Sequence, residues 1–382
     1  MIRFGTKSIV LLLGAVHGVV VLCLLLCIRK NKPANRLLAA LLLFFVLRIT
    51  PYIIGFAGYY DAYPWLSFSP LDITFAFGPL VYLYIRVLTA GSAPRKVYAL
   101  LLPAVVQFLY YSVIFLQPLA FKNNWDDRIQ VPYLNPVESV IALTLLTGGW
   151  LASIRRYRAY RQWVNENVSN GEDLRLDWIR YFLIALGATL AVWAGFELTE
   201  WLYRPLTYLQ RFPLYVWQML LVYYLGTEGW RNATRDYPHP ADAASLPLRE
   251  ALPPGKATLR PTERDWTVQG AEWRQTVLER SLWSDPEITL ATLTRQLGTN
   301  TSHLSRALNE GLGQNFNEFI NRLRVEAVSR QLAEPTEARD LLDLAFAAGF
   351  SSKASFNRCF KLYTGLTPTE FRRNPPAARL KS

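Results

Sequence analysis

The segment SIVLLLGAVHGVVVLCLLLCI, residues 8–28, runs for twenty-one positions without a Lys, Arg, Asp or Glu. A bilayer core about 30 Å thick asks for roughly 20 mainly apolar residues in helical form, because no water is present there to satisfy an open backbone. Part of this chain is therefore expected to live in lipid. Six more apolar segments follow, at 37–56, 73–88, 97–121, 137–154, 181–203 and 209–225, the last one short and carrying Arg211 and Pro213 at its start. A cleavable secretory leader is the rival reading of 8–28. Its apolar stretch exceeds the usual ~7–15 residues and runs into RKNKPANR where a leader has small residues, so a retained helix is expected.

The net charge of +12 invites a nucleic-acid reading, yet residues 1–230 carry 20 Lys and Arg against 12 Asp and Glu and so hold most of the excess. Charge there is a topology signal first. The connections after the first, third and fifth segments contain RKNKPANR, GSAPRK and RRYRAYRQW; those after the second, fourth and sixth contain AGYYDAYPWLSFSPLD, KNNWDDRIQ and RPLTYLQRFP. Lys and Arg collect on the cytoplasmic side, which predicts seven crossings with the N-terminus outside and the C-terminus in the cytoplasm.

Ionisable side chains at membrane depth are costly, so Arg48, Glu138, Glu197 and Glu200 are candidate residues of a signal site, with His17 and Gln107 as polar companions. The alternative is that Arg48 pairs with Glu197 or Glu138 only to hold helices together. The seventh segment has no lysine, which excludes a retinal Schiff base. Cys23, Cys27 and Cys359 fit neither a disulfide framework nor metal spacing. With no Ser/His/Asp set, no paired histidines and no phosphate-cradling glycine loop, no catalytic residue, metal or cofactor is expected.

Residues 231–270 are crowded with Pro, Ala and charge and predict a flexible linker. Helical periodicity then runs from 271 to 376, before a short tail at 377–382. Two parts of this region share one plan. Residues 290–297, a turn at Gly298 and Thr299, and Asn300 lead into TSHLSRAL; residues 341–348, Gly349 and Ser352 lead into KASFNRCF. Aligning Arg306 with Arg358 also aligns Leu304 with Phe356 and Asn300 with Ser352, at a constant offset of 52. This is the pattern of a repeated helix-turn-helix unit.

A recognition helix buries one stripe, here Leu304 and Leu308 or Phe356 and Phe360, and turns the opposite stripe to the major groove. The base-facing candidates are thus Thr301, Ser302, Ser305 and Arg306 in the first unit and Lys353, Ala354, Ser355, Asn357 and Arg358 in the second. Arg suits guanine O6 and N7, Asn suits adenine N6 and N7, and Ser or Thr serves bases or phosphates. Lys361, Arg322 and Arg324 are expected at phosphates.

The runs LSRALNEGLGQNFNEFINRLRVEAVSRQL and LLDLAFAAGFSSKASFNRCFKLYTGLTPTEFRR resemble the AraC/XylS-type DNA-binding domain. Gly349, Phe350, Ser352, Phe356, Arg358, Phe360, Lys361, Gly365, Thr367 and Pro368 sit on its pattern, and Ser355 departs from it by one position. The first half is similar to seven-helix sensor regions fused to such domains, with FGPLVYLYIRVLT as the characteristic stretch. The resemblance implies an all-α chain: a seven-helix transmembrane sensor at 1–230 in a bacterial inner membrane, then a cytoplasmic all-helical domain with two helix-turn-helix units. It implies a one-component transcription regulator whose partners are double-stranded DNA, the lipid bilayer and an unidentified signal ligand, with RNA polymerase and a second copy as further expectations. The alternatives are a transporter or membrane enzyme carrying a DNA-binding appendage, and helices that serve only as an anchor.

Overall fold

The computed structural model describes residues 2–170, 176–202, 207, 209–235, 237–239, 265–334 and 338–373; apart from one isolated β-bridge, their regular structure is helical. Most of the expected linker, at 240–264, and the expected tail lie outside the described residues. The chain divides into two compact units, Met1–Ala159 with Asp177–His239, and Tyr160–Leu176 with Pro240–Ser382.

The first unit contains α1 (Thr6–Cys27), α2 (Lys32–Phe56), α3 (Tyr59–Ala62), α4 (Phe77–Ala90), α5 (Leu102–Phe115), α6 (Leu119–Trp125), α7 (Asn135–Asn167), α8 (Asp177–Leu202) and α9 (Phe212–Asn232). α1 buries Ser8, Leu11, Gly14, Ala15 and Gly18 and turns Leu13, Val16 and Val20 outward. The inward stripe gathers the small residues with Leu11, Val21 and Leu25, while bare Leu and Val face outward, unlike a soluble helix. α5 shows this most plainly: it buries Ala104, Gln107 and Ile114, whereas Leu102, Val106, Leu109 and Val113 are each more than half exposed. Hydrocarbon matches such a surface, since contiguous bare apolar faces of this size are rare in water. Association then rests on close packing of small residues. α4 and α7 cross at Gly78 and Gly149, where a Cβ on either glycine would overlap the backbone of the other helix.

Among the described residues, five helical stretches are long and apolar enough to cross a membrane, Thr6–Cys27, Lys32–Phe56, Arg95–Phe115, Leu119–Asn167 and Asp177–Leu202. Two expected crossings fall short of that standard. Thr74–Ala90 is a shorter apolar helix, and α9 dilutes its Leu and Val with Gln218, Thr227 and Glu228. The expected outer loop at 122–130 is also helical, because α6 passes through a π-helical turn, Asp126–Leu134, into α7. Lys122 there is buried and donates to the carbonyls of Trp65 (2.9 Å) and Ser67 (3.3 Å), with its ammonium 4.6 Å from the centre of the Phe115 ring. At its other end α7 runs to Asn167, past the expected end at 154, since RRYRAYRQW holds no helix breaker.

The second unit contains α10 (Trp266–Glu279), α11 (Leu290–Gln296), α12 (Thr301–Arg306), α13 (Phe316–Leu332), α14 (Leu341–Ala347), α15 (Lys353–Thr364) and α16 (Pro368–Arg373). The expected linker is shortened at both ends, by the last turn of α9 and by α10, whose cap Asp265 accepts from the Thr267 amide. Two apolar clusters form. One gathers Val277, Leu293, Leu304, Leu308 and Phe319; the other gathers Val328, Leu344, Phe356, Phe360 and Phe371. α13 supplies side chains to both, and Trp283 packs against both. Each fully buried Leu or Phe contributes about 1.5–3 kcal/mol, so α13 is the spine on which two small helical lobes are built.

Candidate nucleic-acid interface and membrane-embedded cavity

Each lobe presents a helix, a turn and a second helix. Asn300 caps α12 by accepting from the His303 amide (2.8 Å), and Ser352 caps α15 by accepting from the Ser355 amide (3.2 Å). A cap of this kind satisfies one of the orphan donors of the first turn and sets where the helix begins. Gly349 opens the turn before α15 with φ +87°; a Cβ there would press on the Ser284 carbonyl in addition to the backbone strain. Leu304 and Leu308, and Phe356 and Phe360, are all buried, which fixes the rotation of α12 and α15.

That rotation leaves Thr301, Ser302 and Arg306 exposed and Ser305 half-buried on α12, and Lys353, Ala354, Asn357 and Arg358 exposed on α15. Arg306 pairs with Glu310 (3.0 Å) and lies 5.1 Å from the Trp266 ring centre. Two expectations are corrected. Ser355 is buried, because α15 turns a four-residue face, Ser355, Phe356, Cys359 and Phe360, to the core. It cannot face a base. Arg324, expected at phosphate, is wholly buried in α13, its guanidinium donating to the carbonyls of Trp283 (2.8 Å) and Asp285 (2.7 Å). Burial lowers its pKa to about 10, opposed by the charges of Cys359 and Asp285. Arg322 pairs with Glu326 (3.3 Å), which also takes Arg274 (2.8 Å), and Lys361 is exposed just past the face of α15.

In the first unit Arg48, Glu138, Glu197 and Glu200 all line one cavity of about 710 Å³, together with Asp72, Arg211, Tyr52, Tyr215 and Trp193. Arg48 pairs with Asp72 (2.7 Å), not with Glu197 or Glu138, and its guanidinium carbon lies 5.3 Å from the Trp193 ring centre. Glu200 accepts from Arg211 Nε (2.9 Å); Glu197 accepts from Trp193 Nε1 (2.9 Å) and lies 3.9 Å from Arg211. Glu138 accepts from the Tyr111 hydroxyl (2.6 Å). Asp72 was missed in the sequence because it falls in an expected loop, and Arg211 because it was read with the loop RPLTYLQRFP at the start of the last apolar segment. Gln107 holds the entry to α4, accepting from the Phe75 amide (3.1 Å) and donating to Thr74 Oγ1 (3.1 Å). His17 stacks on Tyr223 with ring centres 4.0 Å apart and is not part of the cavity wall. Among the described residues no group of three or more His, Cys, Asp or Glu is placed to hold a metal ion.

The match to a family model falls in the second unit. Residues 293–374 match the family described as helix-turn-helix domain. The chain is 38% identical over 91 residues to an uncharacterized HTH-type transcriptional regulator of Staphylococcus aureus (strain COL), covering 24% of this chain and 12% of that protein. An uncharacterized HTH-type transcriptional regulator of strain MSSA476 matches to the same extent, so the chain spans about one eighth of the length of these staphylococcal relatives. It is 31% identical over 103 residues to the probable transcription factor PqrA of Proteus vulgaris, covering 27% of this chain and 80% of that protein. No solved structure matches the chain. Through its C-terminal unit the chain belongs to the helix-turn-helix family of transcriptional regulators.

Proposed function

We propose that the protein is a one-component transcription regulator of the AraC/XylS type, held in a bacterial inner membrane by seven helices, with its N-terminus outside and its DNA-binding unit in the cytoplasm. The α11–α12 and α14–α15 pairs act as two helix-turn-helix units that read adjacent major-groove faces, about 34 Å apart, of one duplex. Thr301, Ser302, Ser305 and Arg306 meet bases in one half of the site; Lys353, Ala354, Asn357 and Arg358 do so in the other, with Lys361 and Arg322 at phosphates. The observation that carries this reading is that both second helices bury their apolar stripe and leave their N-terminal polar residues exposed, in the same chain as helices with bare apolar faces.

The cavity is the sensing site. Its wall holds four carboxylates, Asp72, Glu138, Glu197 and Glu200, against two guanidiniums, Arg48 and Arg211, with Trp193, Trp201, Tyr52 and Tyr215 beside them. This chemistry suits a small cation with an apolar body, which gains both from the surplus carboxylates and from aromatic faces.

Membrane vesicles carrying the full chain, prepared inside-out and right-side-out, test the proposal against a pool of random duplexes. Inside-out vesicles are expected to enrich a two-part motif and right-side-out vesicles none; enrichment by neither, or by the wrong orientation, refutes it. Arg48→Ala or Glu197→Ala is expected to change the response to signal in cells with motif affinity unaltered. Wild-type response in both variants leaves these residues as packing only.

A further inference from the structure

The connection that follows α7 does not stay with the membrane helices. Val168, Ser169 and Asn170 belong to the second unit and are buried there. The backbone of Val168 forms the antiparallel bridge with Thr289, the cap of α11. Ser169 Oγ donates to the Ile288 carbonyl (3.0 Å). Asn170 Nδ2 donates to the carbonyls of Pro286 (2.6 Å) and Gly349 (3.0 Å), and its Oδ1 accepts from Arg324 Nη1 (2.9 Å).

Three side chains at positions 317, 321 and 324 answer from α13, a spacing of four and then three that puts them on one stripe. Asn317 Nδ2 donates to the carbonyls of Val168 (2.7 Å) and Ser169 (2.8 Å), and Asn321 Nδ2 donates to that of Ser169 (3.0 Å). Arg324 adds a bond from Nη2 to Ser169 Oγ (3.2 Å). A buried amide and guanidinium, Asn321 and Arg324, beside the half-buried Asn317, are costly unless their donors are met. Here the three-residue strap meets most of them. Asn170 moreover binds Pro286, at the entrance to the first lobe, and Gly349, at the turn of the second, with one amide group. The two apolar clusters share α13 and Trp283, and a group that bonds to both lobes adds a further constraint on their mutual orientation. None of the bonded partners lies among the exposed residues of α12 or α15. The strap therefore orients the two recognition helices without covering them.

We infer that the stripe Asn317, Asn321 and Arg324 is a docking site for the strap at 168–170, and that docking holds the two helix-turn-helix units in the relation that a two-part DNA site requires. This rests on the proposed DNA-binding function and adds to it the route of control. The strap is continuous with α7, and Asn135, Pro136, Glu138 and Ser139 at the far end of that helix line the cavity. A ligand that shifts or turns α7 acts on the strap through covalent structure. With the strap docked, the second unit binds as one rigid body; with it withdrawn, the lobes keep α13 and Trp283 in common but lose this cross-link, and the gain from joint binding falls.

The test uses the full chain in lipid nanodiscs with two duplexes, the two-part motif and one half of it. Asn170→Ala removes the three bonds of that side chain and Asn317→Ala, at a half-buried position, removes two from the stripe. Either is expected to weaken two-part binding by about tenfold or more while half-site binding stays within about twofold. Hydrogen exchange at 168–170 is expected to accelerate in Asn317→Ala. Unchanged two-part affinity in both variants overturns the inference, as does an equal loss on both duplexes, which marks the strap as a structural filler. If Asn170→Ala fails to fold, Asn317→Ala decides. If the wild type binds no duplex, the DNA-binding reading has failed, and docking is then decided by exchange alone: protection at 168–170 that Asn317→Ala leaves intact overturns it.

Discussion

Replacing Arg324 by Met keeps most of the side-chain volume and removes every donor. Arg324 Nε serves the Trp283 carbonyl at 2.8 Å and Nη2 the Asp285 carbonyl at 2.7 Å, inside a site with no solvent access to the residue. Ser169 Oγ keeps its bond to the Ile288 carbonyl and Asn170 Nδ2 its bonds to Pro286 and Gly349, but the carbonyls of Trp283 and Asp285 lose their donors. Each buried acceptor left unmatched costs ~1–3 kcal/mol, and removing a charge that burial disfavours returns part of this, so Arg324→Met is expected to destabilise the second unit by about 3 kcal/mol. In the wild type the penalty of the buried charge is present at neutral pH. The folded pKa of about 10 lies below the unfolded value, so the unfolded state holds the proton more tightly and stability from this group rises only above about pH 10. Between about pH 6 and 8 the difference between variant and wild type is therefore flat. Hydrogen exchange of α13 in the full chain reads the effect, with a loss of about 3 kcal/mol appearing as exchange faster by on the order of 100-fold. Exchange within about threefold of wild type would refute the account of Arg324 as a bonded core cation.

In DNA titrations, Arg306→Ala and Arg358→Ala should each cost ~1–3 kcal/mol on the matched duplex and relax preference at one base pair in separate halves of the site, whereas Lys361→Ala should weaken matched and scrambled duplexes alike and lower the salt slope by about 1. Gly149→Leu should reduce the yield of folded, membrane-inserted chain because α4 lies against it; Gly148→Leu, where an added Cβ meets nothing, should not. The Thr367 amide and hydroxyl hold the Glu370 carboxylate below its usual range, so that contribution is complete above about pH 4.5 and is lost as pH falls through the lowered value. Glu370→Gln should flatten the acid-side change in exchange of the Thr367 amide.

Periodicity and capping are local, and they were legible. Asn300 and Ser352 announce helix starts, and Leu304, Leu308, Phe356 and Phe360 recur at helical spacing, so the starts and buried stripes of α12 and α15 followed from a dozen neighbouring residues. Ser355 was misplaced because the buried face of α15 is one residue wider than its phenylalanines suggest. The apolar segments announced a membrane unit for the same local reason, and the four residues singled out within them, Arg48, Glu138, Glu197 and Glu200, all line the cavity.

Partners far apart along the chain were not legible. Arg48 finds Asp72, which reads as a loop residue, and Glu200 finds Arg211 across a turn. Asn317, Asn321 and Arg324 look like the wet face of an amphipathic helix, and in isolation that is the lower-energy guess. What covers them lies about 150 residues earlier, at Ser169 and Asn170. The sequence by itself determined that this chain has long apolar helices and that α12 and α15 start at capping residues, since those depend on hydrophobic period and first-turn hydrogen bonds. Only the tertiary structure decided which polar groups meet, because a buried amide or guanidinium is stabilised by whichever backbone the fold brings to it, and no spacing along the chain encodes that meeting.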